Sequence, residues 1–329
     1  MGVHLARMKI LTVATRDGAL ALAQTKIVTA ALQRLCPGIK IEIKIVPTTG
    51  DRDRRTALWD LKDSGFFTSQ IEDALLTGEA DLAVHSFKDL PTRPREGLTI
   101  TAVCDRRFAE DCLVGREHVN SIEQMAESAK IGTSSLRRAV QIRRLRPDLQ
   151  AVPVRGNVQT RLRKLDKGES FGLAQDRFDA VILARAGLER LGLGGKISFC
   201  FDPRNFIPAP AQGALAVQAR SDDVKTAKLV AAIDDKKVRM VTFAERQVLV
   251  TMQCGCHAPV GAYADIVGDN IDICAFISDL QGERFVRREI VGPASKGQAL
   301  AEQLAQQLLQ DGGREILAKL EKAKNSNGS

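Results

Sequence analysis

Short apolar runs alternate along this chain with longer stretches whose apolar residues recur at helical spacing, and few folds accommodate that alternation. Ile10–Ala14, Leu82–His85, Lys130–Gly132, Ala151–Val154 and Asp179–Ala184 read as buried parallel strands. Ala19–Leu35, Ser69–Leu76, Leu136–Leu145 and Val158–Leu165 read as amphipathic helices. Strands separated by helices form sheets covered on both faces, so the predicted class is α/β. A chain of 329 residues exceeds what one core holds, because single cores stop growing at ~250–300 residues. Two or three domains are expected.

The residues that follow each strand carry the functional signal. The first strand runs into Thr15-Arg16, ADLAVHS into Lys88-Asp89, and KIGTSS into Leu136-Arg137-Arg138. AVPV leads to Arg155-Gly156-Asn157 and DAVILA to Arg185-Ala186-Gly187. Ligands of open α/β sheets bind beyond the carboxyl ends of the strands, so five cation-bearing ends predict one large anion-binding cleft. Thr133, Ser134 and Ser135 add hydroxyls and N–H groups at a helix start, where the dipole favours anions. Guanidinium groups suit carboxylates because they bind them in bidentate fashion. An arginine is ordinarily a solvated helix-face charge, and that reading is kept for Arg143, Arg144 and Arg146. Repeated placement favours ligand contact for Arg16, Arg137, Arg138 and Arg155. Asp89 follows an interior-looking strand and reads as a buried acid. A lone carboxylate among cations suits steadying a developing positive charge and moving protons; the plain alternative is a helix N-cap or a salt bridge to Lys88.

The net charge of +8 calls for an anionic partner. Nucleic acid is the generic candidate, but aromatics are only 4%, with one Trp and one Tyr, so base-stacking surfaces are poorly supplied. RNA binding rests on charge alone, whereas a small polyanion also fits the strand ends. Seven cysteines, an odd and scattered set, point to a reduced, cytoplasmic setting rather than a disulfide framework. No apolar run approaches the ~20 residues of a membrane span, and the N-terminus lacks the pattern of a secretory leader, so neither is expected. The segment Cys254-Gly255-Cys256-His257 admits three readings: a metal chelate, inert loop cysteines, or a nucleophilic thiolate activated by nearby cations. No second ligand set lies at usable spacing, so no metal is expected, but the residues alone leave the role of the thiols open.

Taken together, ATRDGALALAQ, ADLAVHSFKDLPT, IGTSSLRRAVQIRRLRPDL, VRGNVQTRLRKLD, ILARAGLERLGL, IPAPAQGALAV and CGCHAPVGAYA resemble the porphobilinogen deaminase (hydroxymethylbilane synthase) family over essentially the whole chain. The resemblance implies stepwise joining of four porphobilinogens with loss of ammonia, in haem and other tetrapyrrole synthesis. It implies a dipyrromethane cofactor held as a thioether on Cys256, not Cys254. It makes Asp89 the catalytic residue and assigns Lys88, Thr133, Ser134, Ser135, Arg137, Arg138, Arg161 and Arg190 to the cofactor. Arg16, Gln24, Arg155 and Gln212 fall to the substrate; Arg185 is outside the family's usual set. A monomer without nucleic-acid or membrane partners is implied.

The implied architecture is two periplasmic-binding-protein-like domains around a cleft plus a small C-terminal α+β domain. The first domain maps to 1–104 and 214–231, the second to 105–213, and the third, with the anchoring cysteine, to 232–329. The chain departs from the family pattern at Gly18 (usually Ser), Thr49 (Arg), Ser64 (Lys, with Lys62 two residues earlier) and Ala211 (Gly), and by an insertion at 170–177. These departures support the alternative of a divergent, non-catalytic anion- or pyrrole-binding relative.

Overall fold

The structure is a computed structural model that describes residues 10–48, 68–167, 177–254 and 258–326. In chain order the strands are β1 (Ile10–Arg16), β2 (Lys40–Val46), β3 (Leu82–Ser86), β4 (Leu98–Cys104), β5 (Asp111–Gly115), β6 (Lys130–Gly132) and β7 (Gln150–Val152). They continue with β8 (Ala180–Ala184), β9 (Phe199–Cys200), β10 (Leu215–Arg220), β11 (Val260–Val267), β12 (Asn270–Ser278) and β13 (Phe285–Pro293). Described residues within 1–53, 65–105 and 214–239 form one compact unit, and those within 106–213 and 240–329 form another.

The first unit holds a five-stranded sheet of order β2-β1-β3-β10-β4. β1 pairs in parallel with β2 and β3, while β10 runs antiparallel to β3 and β4. Leu11, Val13, Val28, Leu32, Leu82, Leu215 and Val217 are fully buried in its core, each stabilising the fold by ~1.5–3 kcal/mol relative to exposure. The helix Ala19–Leu35 begins after Gly18, whose φ of +126° L side chains rarely adopt. Glycine at this departure from the family pattern is therefore matched to its own backbone.

The second unit repeats the plan in the order β7-β6-β8-β5-β9. β6 is parallel to β7 and β8, and β5 runs antiparallel to β8 and β9. Each sheet thus has three parallel strands, one reversed strand and a last strand that resumes the first direction. The same unit carries the antiparallel sheet β11-β12-β13, whose core joins the helices Lys236–Met252 and Gly297–Leu308 through Val248, Leu249, Ile273, Ala275 and Leu304. The observed class is mixed α/β with two open sheets and a small C-terminal sheet, as expected. The five strands read from sequence are present, and the parallel pairs among them place their carboxyl ends on one edge of each sheet.

Candidate functional site

In the first unit, β1 and β3 are parallel neighbours, so Arg16 and the residues after Ser86 emerge at one sheet edge. Phe87 fixes the next turn: its ring is fully buried, and its N–H donates to the Ala214 carbonyl at 3.0 Å. That anchor holds the 3-10 turn Phe87–Asp89 with Lys88 half-buried and Asp89 exposed. Asp89 is therefore not the buried acid that its strand suggests, because the strand ends at Ser86 and the turn carries the carboxylate outward. Gln24, 5% exposed, donates its amide to Ser86 Oγ at 2.8 Å. Behind them His85 is buried, with Nε2 unpartnered among the described residues. Burial, with a hydrogen bond to Gln218 opposing and the Arg16 charge assisting, pushes its pKa down to about 4. Gln218 in turn donates to Glu72 at 2.9 Å.

In the second unit the two arginines of GTSSLRR turn inward. Arg137 and Arg138 are 5% and 6% exposed. Arg137 Nη2 lies 2.7 Å from Asp111 Oδ2, and Arg138 Nη2 lies 2.7 Å from Asp111 Oδ1. Arg137 also donates to Ile207 O and Arg138 to Ile182 O. Burial alone would raise the Asp111 pKa; the two guanidinium charges outweigh it and hold the carboxyl below the usual range. Gln212 joins this network, donating to Asp111 Oδ1 and Ala109 O at 2.8 Å each. The hydroxyls are engaged as well: Ser134 Oγ donates to Val154 O, Thr133 Oγ1 accepts Ser135 N–H, and Ser135 Oγ caps the helix at Arg138 N–H.

The corner after β7 differs. Arg155 Nη2 is buried and without a hydrogen-bond partner among the described residues. Arg161 donates Nε–H to Gly156 O at 2.8 Å. Burial first, then the charges of Arg138 and Arg155, lower the Arg161 pKa to about 10. Two neighbouring cations, neither paired to a carboxylate among the described residues, have the chemistry to take an acidic group, and the propionate- and acetate-bearing dipyrromethane is of that chemistry. Arg190 Nη2 donates to Gly213 O at 2.6 Å. Arg185, which strand position also singled out, pairs instead with Glu110 and Glu189 and lies 3.9 Å from the Phe108 ring centroid.

Cys256 and His257 lie outside the described residues, as do Thr49, Lys62, Ser64 and most of the insertion. Cys254 is 9% exposed and packs in the C-terminal core with Met252 and Val260. Among the described residues no group of three or more His, Cys, Asp or Glu side chains is placed to hold a metal. Sequence reasoning missed Asp111 and Glu245. Glu245 is fully buried, pairs with Arg106 at 2.7 Å, and accepts N–H groups from Ala211 and Ala264. Neither acid stands out locally, since Asp111 follows Glu110 and Glu245 precedes Arg246-Gln247, so only their distant cationic partners mark them.

The fold is that of an α/β protein whose open sheets carry arginines and a carboxylate beyond their strand ends. The sequence matches the profile described as "Porphobilinogen deaminase, dipyromethane cofactor binding domain" over residues 11–228, and that of the family's C-terminal domain over 240–310. The porphobilinogen deaminase of Syntrophobacter fumaroxidans is 38% identical over 315 residues, 96% of this chain and 99% of that protein. The one of Desulforudis audaxviator is 42% identical over 308 residues, 94% of this chain and 97% of that protein. The chain belongs to the porphobilinogen deaminase family. Solved structures align more loosely. A TRAP periplasmic solute binding protein from Pseudomonas putida F1 matches at TM-score 0.38 and 9% identity, over 69% of this chain and 78% of that one. A Salmonella typhimurium periplasmic binding protein matches at 0.40 and 13%, over 70% and 94%.

Proposed function

We propose that this chain is a hydroxymethylbilane synthase, a transferase that joins four porphobilinogens head to tail with release of ammonia in tetrapyrrole synthesis. The observation that carries the reading is the Arg155–Arg161 corner, two neighbouring guanidinium groups with no carboxylate paired to either among the described residues. Arg161, Arg190 and Lys88, with the Thr133–Ser135 segment and what donor capacity Arg137 and Arg138 retain, hold the dipyrromethane tethered to Cys256. Bound there, the dipyrromethane supplies the electron-rich pyrrole carbon that is extended. Arg16, Arg155, Gln24 and Gln212 orient the incoming porphobilinogen through its two carboxylates. Asp89, exposed at an anchored turn, steadies the positive charge that develops as ammonia leaves. Its carboxylate oxygen takes the proton released when the new carbon–carbon bond forms.

Residues 1–104 with 214–231 contribute the acid together with Arg16, Gln24 and Lys88, 105–213 the other arginines and 232–329 the thiol. The protein acts as a cytoplasmic monomer on a small anion rather than on nucleic acid; no described helix is long and apolar enough to cross a membrane. Intact-mass measurement of the purified chain tests the reading. An added mass of two linked pyrroles is expected, retained in Cys254→Ser and absent in Cys256→Ser. Asp89→Asn keeps the adduct while turnover of porphobilinogen falls ~100-fold or more. A chain that carries no adduct and consumes no porphobilinogen would be the non-catalytic relative instead.

A further inference from the structure

Cys112 and Cys200 are directly opposed across the antiparallel strands β5 and β9. Phe201 N–H donates to Asp111 O at 2.9 Å, which makes 111/201 a hydrogen-bonded pair. The adjacent pair 112/200 is then of the non-hydrogen-bonded kind, whose Cα atoms approach to ~4.5 Å with side chains on the same face. A disulfide spans Cα separations of ~4.4–6.8 Å, so this pair sits where one closes without moving the backbone. The two thiols have unequal access. Cys200 is exposed, whereas Cys112 is fully buried and its Sγ donates to Leu183 O at 3.4 Å. β9 is an edge strand of two residues, the kind of element that opens locally at low cost.

We propose that Cys112 and Cys200 form a reversible thiol-oxidation site that takes small disulfides and closes to a cross-strand bond. The exposed Cys200 thiolate attacks one sulfur of the small disulfide, expels one thiolate and becomes a mixed disulfide. Cys112 then loses its proton to water and attacks the Cys200 sulfur. The Cys112–Cys200 bond forms and the second small thiolate leaves, so two electrons pass from the protein thiols to the reagent. Burial raises the pKa of both thiols, Cys112 far more strongly. Closure is therefore the slow step and speeds up as pH rises. The bond staples the edge strand to β5 one residue from Asp111, the carboxylate that holds Arg137 and Arg138. The site needs neither the pyrrole cofactor nor the proposed activity.

The test uses the full chain and oxidised glutathione at mildly alkaline pH, with thiols then blocked by N-ethylmaleimide and the protein digested without reduction. The expected product is a linked peptide pair through Cys112 and Cys200, lighter by two hydrogens and separated by dithiothreitol. In Cys112→Ser, glutathione remains on Cys200; in Cys200→Ser, Cys112 is unmodified. The proposal is overturned if glutathione persists on Cys200 of the unsubstituted protein. It is equally overturned if Cys112 links to another cysteine, or if neither thiol reacts. Because the decisive reading comes from the unsubstituted chain, a variant that fails to fold leaves the test intact.

Discussion

Two pairs of arginines beyond the second sheet's strands, Arg137 and Arg138 on the helix after β6 and Arg155 and Arg161 in the turn and helix after β7, meet opposite fates. Arg137 and Arg138 share the buried carboxylate of Asp111, and Gln212 and two backbone carbonyls add to the cage. Arg155 and Arg161 have each other and Arg138 for electrostatic company, with Arg155 Nη2 buried and unpartnered among the described residues. The first pair shares one carboxylate, which offsets one of its two charges, whereas neither member of the second pairs with a carboxylate among the described residues. Both pairs lie at the same end of the sheet's parallel strands, so position alone does not separate them. An internal counter-charge is what separates the two pairs: it leaves Arg137 and Arg138 less donor capacity than Arg155 and Arg161 for any ligand.

The comparison breaks most sharply at Asp111. Asp111→Asn strands two buried guanidinium groups, and removing one partner of a buried ion pair costs ~3–5 kcal/mol. Urea denaturation should show a loss of that size. Arg155→Met, by contrast, removes a charge that no carboxylate balances among the described residues, so stability should stay within ~1 kcal/mol of the parent or rise. Its cost appears in porphobilinogen capture, weakened by ~10-fold or more, the worth of a charged hydrogen bond. Equal stability losses for the two variants would erase the distinction between the pairs.

The first sheet offers the same contrast with a different outcome. His85 is as buried as Arg137, 5% exposed, but Arg16 beside it adds like charge instead of balancing it. The histidine responds by staying neutral, with its pKa at about 4. An unfolded chain takes up the proton near pH ~6.5, so the unfolded state binds more protons between that value and about 4. Stability is complete above this window, falls as pH drops through it, and loses nothing further from this group below it. The loss is on the order of 3 kcal/mol at most. Urea midpoints measured across the window should fall more steeply for the parent than for His85→Gln. Parallel slopes would show that burial at this position does not govern protonation.

Much of this arrangement was legible beforehand, and the parts that were not share a cause. The helices Ala19–Leu35, Ser69–Leu76 and Leu136–Leu145 have the bounds that their spacing predicts, because helix signals are local. β2 differs from the apolar runs that mark the buried strands: KIEIKIV alternates with period two, a strand signal of its own, at a sheet edge where Ile43 and Ile45 remain 39% and 48% exposed. β10 runs against its neighbours, and nothing local marks a reversed strand. The site divides in the same way. The arginine-bearing corners could be read, but the carboxylate that captures Arg137 lies 26 residues away in sequence, beyond any spacing rule. Asp89 was placed by its motif, while its exposure depends on Phe87 meeting Ala214.

The smallest effect concerns the turn that delivers Gln212 to Asp111. Ala211 adopts φ +63°, a left-handed conformation costing an L residue ~1–2 kcal/mol, where the family pattern has glycine. It is held there because its N–H donates to the buried Glu245 at 2.7 Å. Two residues on, Gly213 has φ +89°, and a Cβ there would lie 1.9 Å from Phe108 O, so the turn has no room to relax at its far end. Ala211→Gly relieves the strain but frees the unfolded chain by ~0.5–1 kcal/mol and removes a buried methyl. The net change in thermal or urea unfolding should be small and favourable, no more than ~1 kcal/mol. A loss larger than that would mean methyl packing outweighs backbone strain, and that Asp111's cage depends on alanine rather than tolerating it.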